Sequence, residues 1–165
     1  MGPPTRQGTP FPFEGPVPSE LLIDRDGTAG FSLRALAREL DPTLTEATQI
    51  TFLGRSWTTG LAHEAALKLR ESAGGWTESY PTMEYRHGPI AVAQAGRVTW
   101  MLGEPPSGLA DEVAATGAWF ESGRGLDPMA ELVVAQRVAL AHAIRRGLDP
   151  DRPRSLCRAV VLNNR

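Results

Sequence analysis

Glu64, Lys68, Glu71 and His87 are the residues whose types and spacing could do acid–base chemistry in this sequence. The first three stand at i, i+4 and i+7 within "GLAHEAALKLRESA" (60–73), an alanine- and leucine-rich stretch with no breaker inside. That composition predicts a helix, and a helix places all three side chains on one face. Two readings of the triplet stay open at this level. One is an exposed ion-pair ladder, worth roughly a few tenths of a kcal/mol per pair. The other sets an ammonium beside a carboxylate that moves a proton, holding that base ionised and offsetting the negative charge that develops. Lys68 is the only lysine beside sixteen arginines, which marks the position without assigning it. His87 opens a His87–Gly88–Pro89 turn. An imidazole in such a turn can face a cleft or bond a nearby carbonyl. His63 and His142 fall within predicted helices and read as structural or surface residues. One histidine beside scattered carboxylates does not make a metal site.

Ser56, Thr58 and Thr59 form a second group, in "GRSWTTG" (54–60) between a predicted strand and the helix. Open α/β sheets place ligand loops there. Backbone N–H groups at a helix start, joined by hydroxyls, can hold an anion such as phosphate; the same hydroxyls also serve as ordinary caps. The segment is not a Walker loop, because no Gly-Lys-Ser/Thr follows.

The elements that must position these groups follow from pattern. "FSLRALAREL" (31–40) has apolar residues near helical spacing with Ser32 as a cap, and Asp41-Pro42 is expected to stop it. "ITFLG" (50–54) and "RVTWMLG" (97–103) read as buried strands. "SGLADEVAATGA" (107–118) reads as a short helix capped by Ser107, and "AWF" (118–120) as a very short strand. Asp127-Pro128 opens a long helix that ends with Arg145, Arg146 and Gly147. Strand, helix, strand, helix, strand, helix is the signature of a parallel sheet with helices on both faces. Residues 1–30, with six prolines in the first twenty, read as a disordered leader. Residues 31–165 read as one domain.

Bulk composition narrows the partners. Seventeen basic residues against nineteen acidic ones, with no basic stripe, argue against nucleic acid. No apolar run approaches the roughly twenty residues of a membrane span. No secretory signal is visible at the N-terminus, and the single cysteine, Cys157, fits a reducing, cytoplasmic setting.

Three stretches together resemble the second sugar-isomerase (SIS) domain of glucosamine-6-phosphate synthase and its relatives, the aminosugar isomerases and deaminases. They are "FLGRSWTTGLAHEAALKLRESA", "TESYPTMEYRHGPIAVA" and "GLDPDRPRSLCRAVVL". The resemblance runs over roughly residues 50–165. It implies a flavodoxin-like α/β sandwich, three layers with a parallel sheet. It implies that Glu71 matches the base that moves a proton between C1 and C2 of an open-chain sugar phosphate, and Lys68 the lysine beside it. His87 matches a histidine that helps open the sugar ring in a neighbouring subunit's site. Where the synthase tail has a catalytic lysine, this sequence has Arg158. Arginine stays protonated and forms Schiff bases poorly, so Arg158 is assigned to substrate binding. The sequence opens Met-Gly-Pro rather than with a cysteine nucleophile, so glutaminase activity is not expected. The family carries two SIS domains in tandem, and one is expected here. The site is then expected to need a second chain, as a homodimer or with another SIS protein. The implied substrate is a hexose or hexosamine 6-phosphate, with no metal and no organic cofactor, and the alternative is a non-catalytic module that binds sugar phosphate or only pairs.

Overall fold

A computed structural model describes residues 35–123 and 125–153. The expected leader, the start of the 31–40 helix with Ser32, and Arg158 lie outside them. Four strands form one sheet in the order β2-β1-β3-β4: β1 Gln49–Gly54, β2 Thr77–Pro81, β3 Arg97–Met101 and β4 Trp119–Ser122. All neighbours pair in parallel, with Ile50 opposite both Thr77 and Val98, and Val98 opposite Trp119. The helices are α1 Pro42–Glu46, α2 Thr58–Ala73, α3 Thr82–Tyr85, α4 Leu109–Ala115 and α5 Pro128–Arg145, with a 3-10 turn at Pro89–Val92.

The alternation of strand side chains sorts the core into two faces. Ile50, Phe52, Val98, Trp100 and Leu102 meet α2 and α5, with the Phe52 and Trp100 rings 5.6 Å apart. Leu53 and Met101 face the other way, against Tyr85 of α3 and Leu109 and Val113 of α4. The result is the three-layer α/β sandwich expected from the sequence. α2 turns a stripe of Ala62, Ala65, Ala66, Leu69 and Ala73 to the sheet. These small residues let it lie so close that a Cβ on Gly54 would stand 2.3 Å from the Thr58 carbonyl oxygen. Gly74 ends the helix in the left-handed region (φ 57), its N–H bonded to the Arg70 carbonyl at 2.9 Å. Asp127 caps α5, accepting from the Met129 N–H at 2.9 Å.

Several elements differ from the sequence expectation. Asp41-Pro42 does not merely end a helix: the Asp41 carboxylate accepts from the Thr43 N–H and caps α1. β2 was not foreseen. Ser107 does not cap α4, because Gly108 occupies the cap position with no side chain to bond. The strand expected at 118–120 runs over Trp119–Ser122 and carries the fully buried Glu121.

Two buried carboxyls lie under the carboxyl ends of β3 and β4. Glu121 accepts from Arg38 Nη2 at 2.8 Å and from the Trp119 indole at 3.3 Å. Glu131 accepts from the Trp100 indole at 2.6 Å and from the Gly103 N–H at 3.3 Å. Burial pushes the Glu131 carboxyl up from 4.5 to about 7, against the pull of those two donors. His142, also buried, shares a 2.8 Å hydrogen bond with the Leu44 carbonyl, and burial holds it below the usual imidazole range.

Two outcomes follow from this packing. Glu131 has a folded-state value above its unfolded one, so its contribution to stability is full below about 4.5 and is lost as pH rises to about 7. Urea unfolding from pH 5 to 8 should show this as a loss of about 3 kcal/mol that levels off above neutrality. Glu131→Gln should remove the component, and a wild-type-minus-variant difference that is flat across the range would refute it. Gly54→Ala should cost about 3 kcal/mol or more in thermal melts, since backbone rather than a flexible side chain meets the new methyl.

Candidate functional site

Glu71 and Lys68 stand in the last turns of α2. Lys68 Nζ lies 3.2 Å from Glu71 Oε2 and 3.4 Å from Glu64 Oε1, so the ammonium bridges both carboxylates. The Glu71 hydrogen bond is the first cause raising the Lys68 pKa, with Glu64 adding to it. A carboxylate this near the negative end of a helix is disfavoured by the helix dipole, and Lys68 offsets that. Both groups are partly open, with side-chain exposures of 28% for Glu71 and 40% for Lys68. The ladder geometry of the first reading is therefore present. It does not stand in open solvent alone, because Glu71 lines a cleft of about 630 Å³ between the carboxyl ends of α2 and α5. Arg70, Arg146, Asp149 and Arg152 line it too. Two of these arginines also brace its walls: Arg146 Nη1 donates to the Ala73 carbonyl at 2.6 Å, and Arg70 Nη1 to Thr77 Oγ1 at 3.2 Å. They carry no separate signal in the sequence, because a basic residue at a helix's end is already accounted for by the dipole.

Ser56, Thr58 and Thr59 lie at the opposite end of α2. At about 1.5 Å of rise per residue, Thr58 and Glu71 are about 20 Å apart along the helix. The loop is closed on itself. The N–H groups of Thr58, Thr59 and Gly60 donate to the carbonyls of Arg55, Ser56 and Trp57, each at 3.2 Å. Thr58 is buried, its hydroxyl accepting from the Arg55 N–H at 2.8 Å and donating to the Arg55 carbonyl at 3.0 Å. The helix start expected to cradle an anion thus spends these donors on its own loop. Ser56 is exposed in the left-handed region (φ 54), and Thr59 is half-exposed.

His87 belongs to this same sheet edge, just beyond α3. Its N–H donates to the Glu84 carbonyl at 3.0 Å, its side chain is exposed, and among the described residues nothing bonds its ring. The five residues of β2 separate this edge from the one where α2 ends, a span of about 15 Å. One chain therefore cannot bring its own His87 to its own Glu71 in this fold. Arg158 lies outside the described residues, although Arg152 and Pro153, which lead towards it, line the Glu71 cleft. His63 is exposed, 2.8 Å from Ser79 Oγ through Nδ1. Among the described residues no group of three or more His, Cys, Asp or Glu could hold a metal ion, and no helix is long and apolar enough to cross a membrane.

No family model matches the chain. The isomerizing glutamine–fructose-6-phosphate aminotransferase of Pyrobaculum aerophilum is 31% identical over 153 residues, covering 76% of this chain and 25% of the aminotransferase. The chain thus spans about a quarter of the length of that relative. Among solved structures, glucosamine-6-phosphate deaminase from Thermotoga maritima is 33% identical with a TM-score of 0.65, over 80% of this chain and 45% of the deaminase. The C-terminal domain of the Francisella tularensis glucosamine–fructose-6-phosphate aminotransferase has the same fold, at 22% identity and a TM-score of 0.54, over 65% of this chain and 38% of that one. The parallel sheet, its two helical layers and these relationships make the chain a sugar-isomerase (SIS) domain of the glucosamine-6-phosphate synthase and aminosugar isomerase–deaminase family.

Proposed function

We propose that this domain works on a hexose or hexosamine 6-phosphate, as an aldose–ketose isomerase or an aminosugar-phosphate deaminase, with Glu71 as the proton-moving base. The observation that carries this reading is Glu71 at the wall of a cleft large enough for a sugar phosphate, with Lys68 bonded to it from the next turn of the helix. Glu71 takes the proton from the carbon beside the carbonyl of the open-chain sugar. The C–H electrons form the C=C bond of an enediolate while the carbonyl oxygen takes the negative charge. The same carboxyl then returns the proton to the former carbonyl carbon, and the hydroxyl proton passes to the charged oxygen, leaving the carbonyl on the neighbouring carbon; from an aminosugar that carbon is left as an imine, which water hydrolyses with release of ammonia. Lys68 is a compact ammonium that stays protonated, so it can offset the enediolate charge without losing its own proton. Arg70, Arg146 and Arg152 bring positive charge to the cleft, where the phosphate would need it, and Arg158 would add to them. In this reading Ser56 and Thr59 meet substrate only at a neighbouring chain's site, because they sit at the far edge.

His87 acts in a second copy or in another SIS chain. Its exposed ring, which nothing among the described residues bonds, and its place at the edge opposite Glu71 support that assignment. The site is therefore shared between chains. A non-catalytic reading, in which the domain only binds or pairs, is favoured by one observation: the start of α2 has spent its N–H groups on its own loop.

Three measurements separate the readings. With purified full chain and fructose or glucosamine 6-phosphate, Glu71→Gln should lower turnover by about 10² to 10⁴ with folding intact; ligand binding without any turnover would favour the module. Mixing Glu71→Gln with His87→Ala, each inactive alone, should restore up to about a quarter of wild-type turnover, as random pairing in a two-fold dimer gives one intact site in half of the dimers. No recovery, or a fully active monomer in sedimentation, would refute the shared site.

A further inference from the structure

The turn that carries His87 combines a ring that nothing among the described residues bonds with a held backbone. On its N-terminal side, Thr82 Oγ1 donates to the Gly54 carbonyl at 2.8 Å, and the buried Tyr85 hydroxyl lies 2.9 Å from Thr99 Oγ1. On its C-terminal side, Ile90 packs into the smaller core. At the turn itself the tie to another element is Arg86. Its Nε donates to Glu112 Oε2 at 2.7 Å and its Nη2 to Glu112 Oε1, a two-bonded fork. Nη2 also reaches the Ser107 carbonyl at 3.4 Å. The fork holds the Glu112 carboxyl below the usual carboxylate range. An exposed single ion pair contributes little, but a planar two-bonded fork fixes direction as well as distance. Glu112 sits in the first turn of α4, where a carboxylate is favoured by the dipole. Without Arg86, residues 86–88 would rest on local bonds such as His87 N–H to Glu84.

We propose that Arg86 is a positioning residue: its fork to Glu112 fixes the 86–88 backbone against α4 and so sets the direction in which His87 is offered to a neighbouring chain. The role of His87 rests on the function proposed above, whereas the holding of the turn does not.

Amide hydrogen exchange on the full chain, without ligand, tests the holding directly. In Arg86→Ala and Glu112→Gln the His87 amide should exchange at least tenfold faster, while the β1 amides of Ile50 and Phe52 stay as in wild type. Exchanging the charges, Arg86→Glu with Glu112→Arg, should bring His87 back to within threefold. Arg86→Lys, which keeps the charge but not the fork, should fall between. A His87 rate within twofold of wild type in both single variants overturns the proposal. Turnover then tests the purpose: kcat should fall about tenfold in Arg86→Ala with KM unchanged, and the paired exchange should recover it. Faster exchange with kcat untouched overturns the positioning role. If wild type shows no turnover, the catalytic reading fails, and the exchange data still decide whether Arg86 holds the turn.

Discussion

A helix that joins two parallel strands must run against them, because it has to return the chain to the edge where the next strand begins. In this domain α2 is that helix, and the placement of every candidate residue follows from its direction. Ser56 of the 55–57 loop, with Thr58 and Thr59 at the helix start, stands at the edge where β1 ends; Glu71 and Lys68 stand where β2 begins. His87 lies back at the first edge after one more strand. The sheet thus acts as a spacer that keeps a carboxylate–ammonium pair apart from an imidazole within one chain, and it is this separation that makes a shared site the natural reading.

The polar interior supports the same two edges. Trp100 and Gly103 donate to Glu131, and Gly123 approaches its carboxyl so closely that a Cβ would stand 2.6 Å from Oε2. Arg38 and Trp119 satisfy Glu121. The Glu131 bonds fasten the end of β3 to the first turn of α5, and the Arg38–Glu121 bond ties β4 to the segment ahead of α1. Buried carboxyls are tolerated only when their oxygens find donors, and here the donors are two indoles, the Arg38 guanidinium and a loop glycine. At the other edge Arg70 and Arg146, which line the Glu71 cleft, also donate to backbone and hydroxyl groups, so cleft shape and strand position are set by the same side chains.

What was legible in the sequence follows from how each element earns its burial. α2, α5 and the strands β1 and β3 bury apolar side chains at regular spacing, and their patterns predicted them within a few residues. β2, "TESYP", is an edge strand whose side chains after Thr77 are only half-buried, so it offers no apolar run and went unseen. α1 was hidden because Asp-Pro reads equally as the end of one helix and the cap of the next. Glu121 and Glu131 were invisible as buried groups: one sits in a strand too short to show a period, the other in a first turn where an acid is already explained by the dipole. The Glu64, Lys68 and Glu71 triplet was legible as one face of a helix. The cleft beside it was not, because it depends on where α5 ends, and that is a long-range fact.

The close approach of Gly54 to Thr58 carries a last consequence. β1 passes into α2 through three residues, with the backbone of the helix's first turn resting on Gly54 and no side chain between them there. A helix advances 100° for each residue added ahead of it, at 3.6 residues per turn. One insertion there would swing position 71 off the cleft wall and turn the alanine stripe away from the sheet. The length of this connector is therefore fixed by the gearing of the helix, a constraint that the exposed side chains of Arg55 and Trp57 do not share.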